Sequence, residues 1–335
     1  MKVTAKAISK ELGISIATVD RVLNNRPNVS NKMRNRVLEK AEELGYVPNR
    51  MASMLSKKVT FTVAIIYREY PAYFWEQVEL GIDQAGQELR DYGVTVHKWR
   101  LPWHEFFSNP DSIRELIKSG TYDAFAIAGG DTALVQLLDS SEVPYCTFNE
   151  DALNSNRQFY VGSDYQQAGK LAAELLAKLV VPKGKIGVLA NVPKEQTLQV
   201  KEKLTGFKKG LEEYGLTIAE VIWEEMPFKG KDILDKLRQF DGLYIATAEL
   251  GEIAEELYRG GHKLQALVGH DMNEVVYKHL HSNTISATIT QDPVSQGYLA
   301  IKKLFDFFIL EDQSANHTHL TKLEVVLKGN ASFYL

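Results

Sequence analysis

Arg21 lies within SIATVDRVLNNRPNVS, residues 15–30, a stretch that interleaves aliphatic residues with Arg, Asn and Ser. A guanidinium presented on a helix face can meet guanine O6 and N7 through two parallel hydrogen bonds, worth about 1–3 kcal/mol of base discrimination. Ile16 and Ala17, just before it, suit thymine methyl groups. A second set of candidate residues runs through the body: Tyr67 and Arg68, then Phe74 and Trp75, Asp131, Asn149 with Glu150, Lys201, Asp271 and Gln291. Flat aromatic rings suit the C–H face of a sugar, and amides and carboxylates at a rim can read its hydroxyls. Signals for catalysis are poor. No G-x-G-x-x-G follows a strand, no P-loop is present, and the eight His show no H-E-x-x-H or other metal-ligand spacing. No cofactor or metal is expected; acid–base work by the pocket carboxylates stays open only because they are there.

A helical head has to position the first set. Thr4 can cap a helix over Ala5–Leu12 that Gly13 stops, and Ser15 can cap the next, whose Val19, Val22 and Leu23 form one apolar stripe. NNRPN breaks that helix. Ser30 opens a third, with Met33, Val37, Ala41 and Leu44 on one face and Gly45 where a left-handed cap is wanted. The short link between the first two helices matches a helix-turn-helix. Residues 1–47 therefore read as an all-α helix-turn-helix domain, and 48–59, which hold NRMASMLSKK, as a hinge or linker.

From Thr60 onward, strand candidates such as FTVAII, AFAIAG, KIGVLAN and ALVGH alternate with amphipathic helices. Continuous apolar strands flanked by helices argue for parallel sheets covered on both faces. There are too many strands for one ordinary sheet, and DYGVTVH at 91–97 has an echo in EYGLTIAE at 213–220. The reading is an α/β body of two Rossmann-like lobes over 60–335: lobe 1 about 60–161, lobe 2 about 162–290, with 291–335 shared between them. In such sheets ligands gather beyond the carboxyl ends of the strands, which is where most of the second set falls.

Charge divides the chain. Residues 1–58 hold 12 Lys or Arg against 5 Asp or Glu, a net of +7, while the remainder carries −11. A basic head on an acidic body is the footprint of a polyanion-binding module joined to something else. No apolar run of about 18 residues appears. The start, MKVTAKAISKELG, has no secretory h-region, and the single Cys146 sits in a strand-like PYCTFN, so a reducing cytoplasm is the expected setting.

On SIATVDRVLNNRPNVS, then RVLEKAEELGYVPNRMASMLSKK, the first 58 residues resemble the DNA-binding head of the lactose-repressor (LacI/GalR) family of bacterial regulators. VGSDYQQAGKLAAELL and LVGHD extend the resemblance to the two-lobed, periplasmic-sugar-binding-like (type I) body of that family. The resemblance implies DNA contacts, to phosphates or in setting register, by Thr4, Ser15, Asn24, Asn28, Ser30, Tyr46 and Asn49. It further implies a hinge in which Leu55 wedges into the minor groove and Ala52 packs against its counterpart in a second chain. Asp271 and Gln291 match family pocket positions most closely, and Phe74 and Trp75 match aromatics that sandwich a sugar ring. The implied protein is a cytoplasmic homodimeric repressor of a palindromic operator, responding to a small sugar or polyol. Control by a protein partner, and a receptor or enzyme on the same fold, stand as alternatives.

Three departures from the family pattern bear on specificity. Asp20 replaces the serine of the usual TVSRVLN, so it must turn to a cytosine amino group, pair with a cation, or point away from the duplex. Asn149 and Glu150 stand where Asp and Arg are common, and Lys201 and Ala248 where Arg and Asn are. Glu150 could then meet a positive group on the effector.

Overall fold

The computed structural model of the chain describes residues 3–23, 26–46, 60–102, 110–130, 133–191, 197–224, 231–309 and 318–335. The N-terminal helices and the α/β body form separate compact units.

In the head, α1 (Ala5–Leu12), α2 (Ile16–Leu23) and α3 (Asn31–Glu43) enclose a small core of Ile8, Leu12, Val19, Val22, Val37 and Ala41. Two residues per helix, three or four apart, suffice because each helix needs only one apolar stripe to meet the other two. Gly13 is left-handed (φ 65°) and its N–H closes onto the Lys10 carbonyl, ending α1. The Ser9 hydroxyl then donates to the Ile14 carbonyl at 2.7 Å and fixes the turn that aims α2.

Among the described residues, the body holds two six-stranded sheets. The first contains β1 (Phe61–Arg68), β2 (Val94–Leu101), β3 (Ala124–Ile127), β4 (Tyr145–Phe148), β5 (Tyr160–Gly162) and β11 (Thr318–Leu320), in the order β11-β5-β4-β3-β1-β2. The second contains β6 (Ile186–Asn191), β7 (Ile218–Glu224), β8 (Gly242–Ile245), β9 (Ala266–His270), β10 (Ala287–Thr290) and β12 (Glu324–Val326), in the order β12-β10-β9-β8-β6-β7. Strand for strand the two orders are the same, and all pairings are parallel except that of β12 with β10. The echo at 91–97 and 213–220 leads into β2 and β7, the matching edge strands. Its glycines, Gly93 and Gly215, are both left-handed, with φ of 81° and 68°.

Matching helices repeat the device. Among the described residues the α-helices of the body are α4 (Ala72–Leu89), α5 (Asp111–Lys118), α6 (Ala133–Asp139), α7 (Tyr165–Leu179), α8 (Leu198–Glu213), α9 (Lys231–Leu237), α10 (Leu250–Arg259), α11 (Glu274–His281) and α12 (Pro293–Ile309). In one lobe α4 crosses α12 at Gly81 and Gly297; in the other α8 crosses α7 at Gly206 and Gly169. A Cβ on any of the four would fall 1.8–2.1 Å from a backbone carbonyl oxygen of the facing helix. Only glycine permits so close an approach. Cys146 is buried in β4, and burial pushes its thiol pKa far up, so it is a core group and not a nucleophile.

Candidate functional site

On the head, the α2 face opposite its buried Val19 and Val22 presents Ile16, Ala17 and Arg21 to solvent, Ile16 at 48% exposure. Ser15 begins that face and caps the helix, its hydroxyl accepting from the Thr18 N–H at 3.1 Å. Thr4 caps α1 in the same way, from Ala7 N–H at 3.3 Å, and Ser30 caps α3, from Met33 N–H at 3.3 Å. Capped helix starts of this kind hold N–H groups and hydroxyls where phosphates bind. Asn28 is exposed and left-handed (φ 68°); Tyr46 is half-buried at the end of the head. Asn24, Asn49, Ala52 and Leu55 lie outside the described residues. Asp20 pairs with Arg26 at 3.2 Å. Of the options open to that carboxylate, a cation within the head is the one realised.

In the body, a cavity of about 590 Å³ lies between the carboxyl ends of the two sheets. Its first wall is aromatic. Trp75 stacks on Tyr67 (5.4 Å, 29°) and meets Phe74 edge-on (4.9 Å, 89°), while its indole N–H donates to the Tyr70 carbonyl at 3.1 Å. The indole plane is therefore set before any ligand arrives. Phe74, Trp75, Tyr70 and Pro71 all line the cavity.

The polar groups come from strand ends and one helix. Arg68 closes β1 and Gln291 follows β10. Asn149 follows β4 and Asp271 follows β9, equivalent corners of the two sheets, and both are left-handed with φ of 61° and 65°. Such corners turn the chain sharply, and short polar side chains tolerate them. Gln291 donates its amide to Asp271 at 2.9 Å, and Asn149 donates to Gln296 at 3.2 Å. Burial raises the Asp271 pKa, an effect opposed by the Lys203 charge and the Gln291 amide. Lys203, on α8 and only 3% exposed, donates to the Ala246 carbonyl at 3.3 Å and sits over the Tyr165 ring. Burial lowers its pKa to about 8 against the pull of Asp271, Glu249 and Glu150.

Six of the residues singled out in the sequence converge here: Arg68, Phe74, Trp75, Asn149, Asp271 and Gln291. Tyr67 does not. β1 runs on through Arg68, and strand alternation turns Tyr67 into the core, where its hydroxyl donates to Glu79. Lys201 is also displaced: it is exposed on the far side of α8, whereas Gln199, Val200 and Lys203 share the cavity side at helical spacing. Glu150 stands behind the wall and does not line the cavity; it lies 4.0 Å from the Arg68 guanidinium and accepts from the Gln199 N–H at 3.3 Å. Asp131 lies outside the described residues. Tyr70, Lys203 and Glu249 went unnoticed in the sequence, although Glu249 directly precedes a helix after β8 and so obeyed the same strand-end rule.

A three-helix unit whose second helix has an exposed face opposite the head core, and a two-lobed body around a polar cavity, define a DNA-binding regulator with a ligand-binding domain. Residues 63–308 match the periplasmic binding protein domain family, and residues 4–49 match the lacI family of bacterial regulatory proteins. The chain belongs to the lacI family of bacterial regulators, with a periplasmic binding protein domain as its body. It is 26% identical over 261 residues to catabolite control protein A of Priestia megaterium, covering 75% of each chain. Its fold is similar to a transporter solute-binding protein from Burkholderia graminis C4D1M solved with D-arabinose (TM-score 0.71, 22% identity, 82% of this chain and 97% of that one). It is also similar to the transcriptional regulator CelR in complex with cellobiose (TM-score 0.64, 21% identity, 97% and 99%). No described helix is long and apolar enough to cross a membrane.

Proposed function

We propose that the chain is a cytoplasmic repressor that binds a roughly palindromic operator as a homodimer and takes a small carbohydrate or polyol into the cavity between its lobes. The cavity carries this reading: a preset aromatic wall faces amides and carboxylates on the carboxyl ends of both sheets, so one ligand would touch both lobes. The CelR and solute-binding neighbours, solved with cellobiose and D-arabinose, support a sugar. Tyr73 of α4 already donates to the Ala248 carbonyl of the other lobe at 2.9 Å, so the distance between lobes can be set by few contacts. Effector binding would change that closure and bias how two heads are held, a coupling of about 1–3 kcal/mol. Ile16, Ala17 and Arg21 would read bases in the major groove, and Ser15, Ser30, Asn28 and Tyr46 would hold phosphates. The relatives are regulators, which supports binding and release over turnover as the work of the pocket.

The test pairs fluorescence anisotropy on a palindromic duplex, half-sites about one helical turn apart, with calorimetry against a sugar and polyol panel. A chain lacking residues 1–58 should lose the duplex and keep the sugar. Turnover of a sugar by that shortened chain would favour an enzyme; silence across the panel would favour control by a protein partner.

A further inference from the structure

Among the described residues, the cavity's charges do not balance. Counting what stands directly behind the wall as well as on it, Arg68 and Lys203 meet three carboxylates: Asp271 and Glu249 on the wall, and Glu150 behind it against Arg68. Each acid is placed differently. Glu150 lies against Arg68 and the Gln199 N–H. Asp271 accepts from Gln291 and is drawn to Lys203. Glu249 is 3% exposed; one of its oxygens accepts from the Asn191 amide at 2.9 Å, and the other, Oε2, is buried with no hydrogen-bond partner among the described residues. A buried carboxylate oxygen left unsatisfied keeps its full desolvation penalty, so its persistence beside a cavity points to a partner that arrives from outside.

The surroundings say what kind of partner. Tyr70, 47% exposed, stands at the cavity wall with its hydroxyl 3.4 Å from Glu252, one turn along the same helix start as Glu249. Both tyrosines of this corner feel the acids: burial raises the Tyr70 pKa, and Glu249 and Glu252 raise it further, while burial and then Asp271 raise that of Tyr73. An aromatic face beside two carboxylates favours a cation, since ring quadrupole and anion act in the same direction. A hydroxyl would fill the empty acceptor but leave the surplus negative charge in place. A protonated amine would answer both.

We propose that the cavity selects a sugar bearing a free amino group, an amino sugar, and that Glu249 meets its ammonium. This rests on the sugar reading above and narrows it; the positive group expected to meet Glu150 is reassigned to Glu249, because Glu150 lies against Arg68.

The experiment is calorimetry on the full chain with matched trios: glucosamine, N-acetylglucosamine and glucose, the same trio in the galacto and manno configurations, and the β-1,4-linked glucosamine dimer against cellobiose. The free amine should bind about ten- to a hundredfold more tightly than its acetylated and hydroxyl partners. That comparison needs no variant. Glu249→Gln should bring the ratio close to one, with circular dichroism and operator binding in the absence of sugar reporting that the variant is folded. Neutral sugars that bind as well as their amines, or an amine preference that survives in E249Q, would overturn the proposal and leave the sugar reading standing. If no amine and no neutral sugar binds, both fall together.

Discussion

Replacing Lys203 by Met removes an ammonium from the wall of the cavity while keeping most of the side chain's apolar volume. In the folded chain that ammonium has a pKa of about 8 in place of the usual 10.5, chiefly through burial. At 1.36 kcal/mol per pKa unit the charged form costs roughly 3 kcal/mol of stability. No allowance for solvent is needed, because the side chain is 3% exposed. The sign follows from proton counting: between the two pKa values the unfolded chain holds a proton that the folded chain has lost, so stability rises with pH there. The penalty is complete below about pH 8 and disappears as pH climbs toward 10.5, with about 2 of the roughly 3 kcal/mol regained by pH 9.5. Urea unfolding followed by tryptophan fluorescence reads the body alone, since all four Trp lie beyond residue 60. The stability of the natural chain minus that of K203M should therefore climb by about 2 kcal/mol from pH 7 to pH 9.5. A flat difference over that range would show that Lys203 is not held as a desolvated ammonium, and the account of the cavity's charge would fail with it.

Two further substitutions probe the scaffold and the head. Gly206→Ala places a Cβ 1.8 Å from the Gln166 carbonyl oxygen, and backbone cannot yield as a side-chain tip can. α7 and α8 must part, at about 1–3 kcal/mol or more. Calorimetric melting should show the body's Tm several degrees lower, and sugar affinity should fall as well because α8 carries Gln199, Val200 and Lys203 to the cavity. A Tm unchanged within error would contradict the close crossing. Arg21→Ala should weaken operator binding by a factor of about 5 to 150 and relax preference at one base pair of each half-site, with the salt dependence nearly unchanged. Uniform weakening across sequences, with a shallower salt slope, would instead make Arg21 a phosphate contact.

The head was almost wholly legible because its information is local. Thr4, Ser15 and Ser30 cap helices a few residues away, and Val19, Val22 and Val37 declare one apolar face each, so the residues left facing out are fixed by helical phase. The lobes were legible as strands and long helices, while α6, α9 and α11 are seven or eight residues long and carry too few apolar repeats to stand out from loops. The cavity divides along the same line. Residues at strand ends, Arg68, Asn149, Asp271 and Gln291, were found by counting from apolar runs, because a parallel sheet sends all its carboxyl ends to one side. Those carried by α8 were not: choosing Lys203 over Lys201 requires knowing which face of α8 meets α7, and that is set by a glycine pair 37 positions apart, Gly169 and Gly206. The same crossing, repeated by Gly81 and Gly297 in the other lobe, couples stability to recognition. Each pair brings two helices into backbone contact, and in each lobe one of them presents cavity residues, Phe74 and Trp75 on α4 or Gln199, Val200 and Lys203 on α8. A Cβ at any of the four glycines thus displaces a wall of the cavity as well as loosening a lobe, so substitutions there should cost ligand affinity and melting temperature together, whereas a change such as E249Q, which leaves the crossings intact, should separate the two.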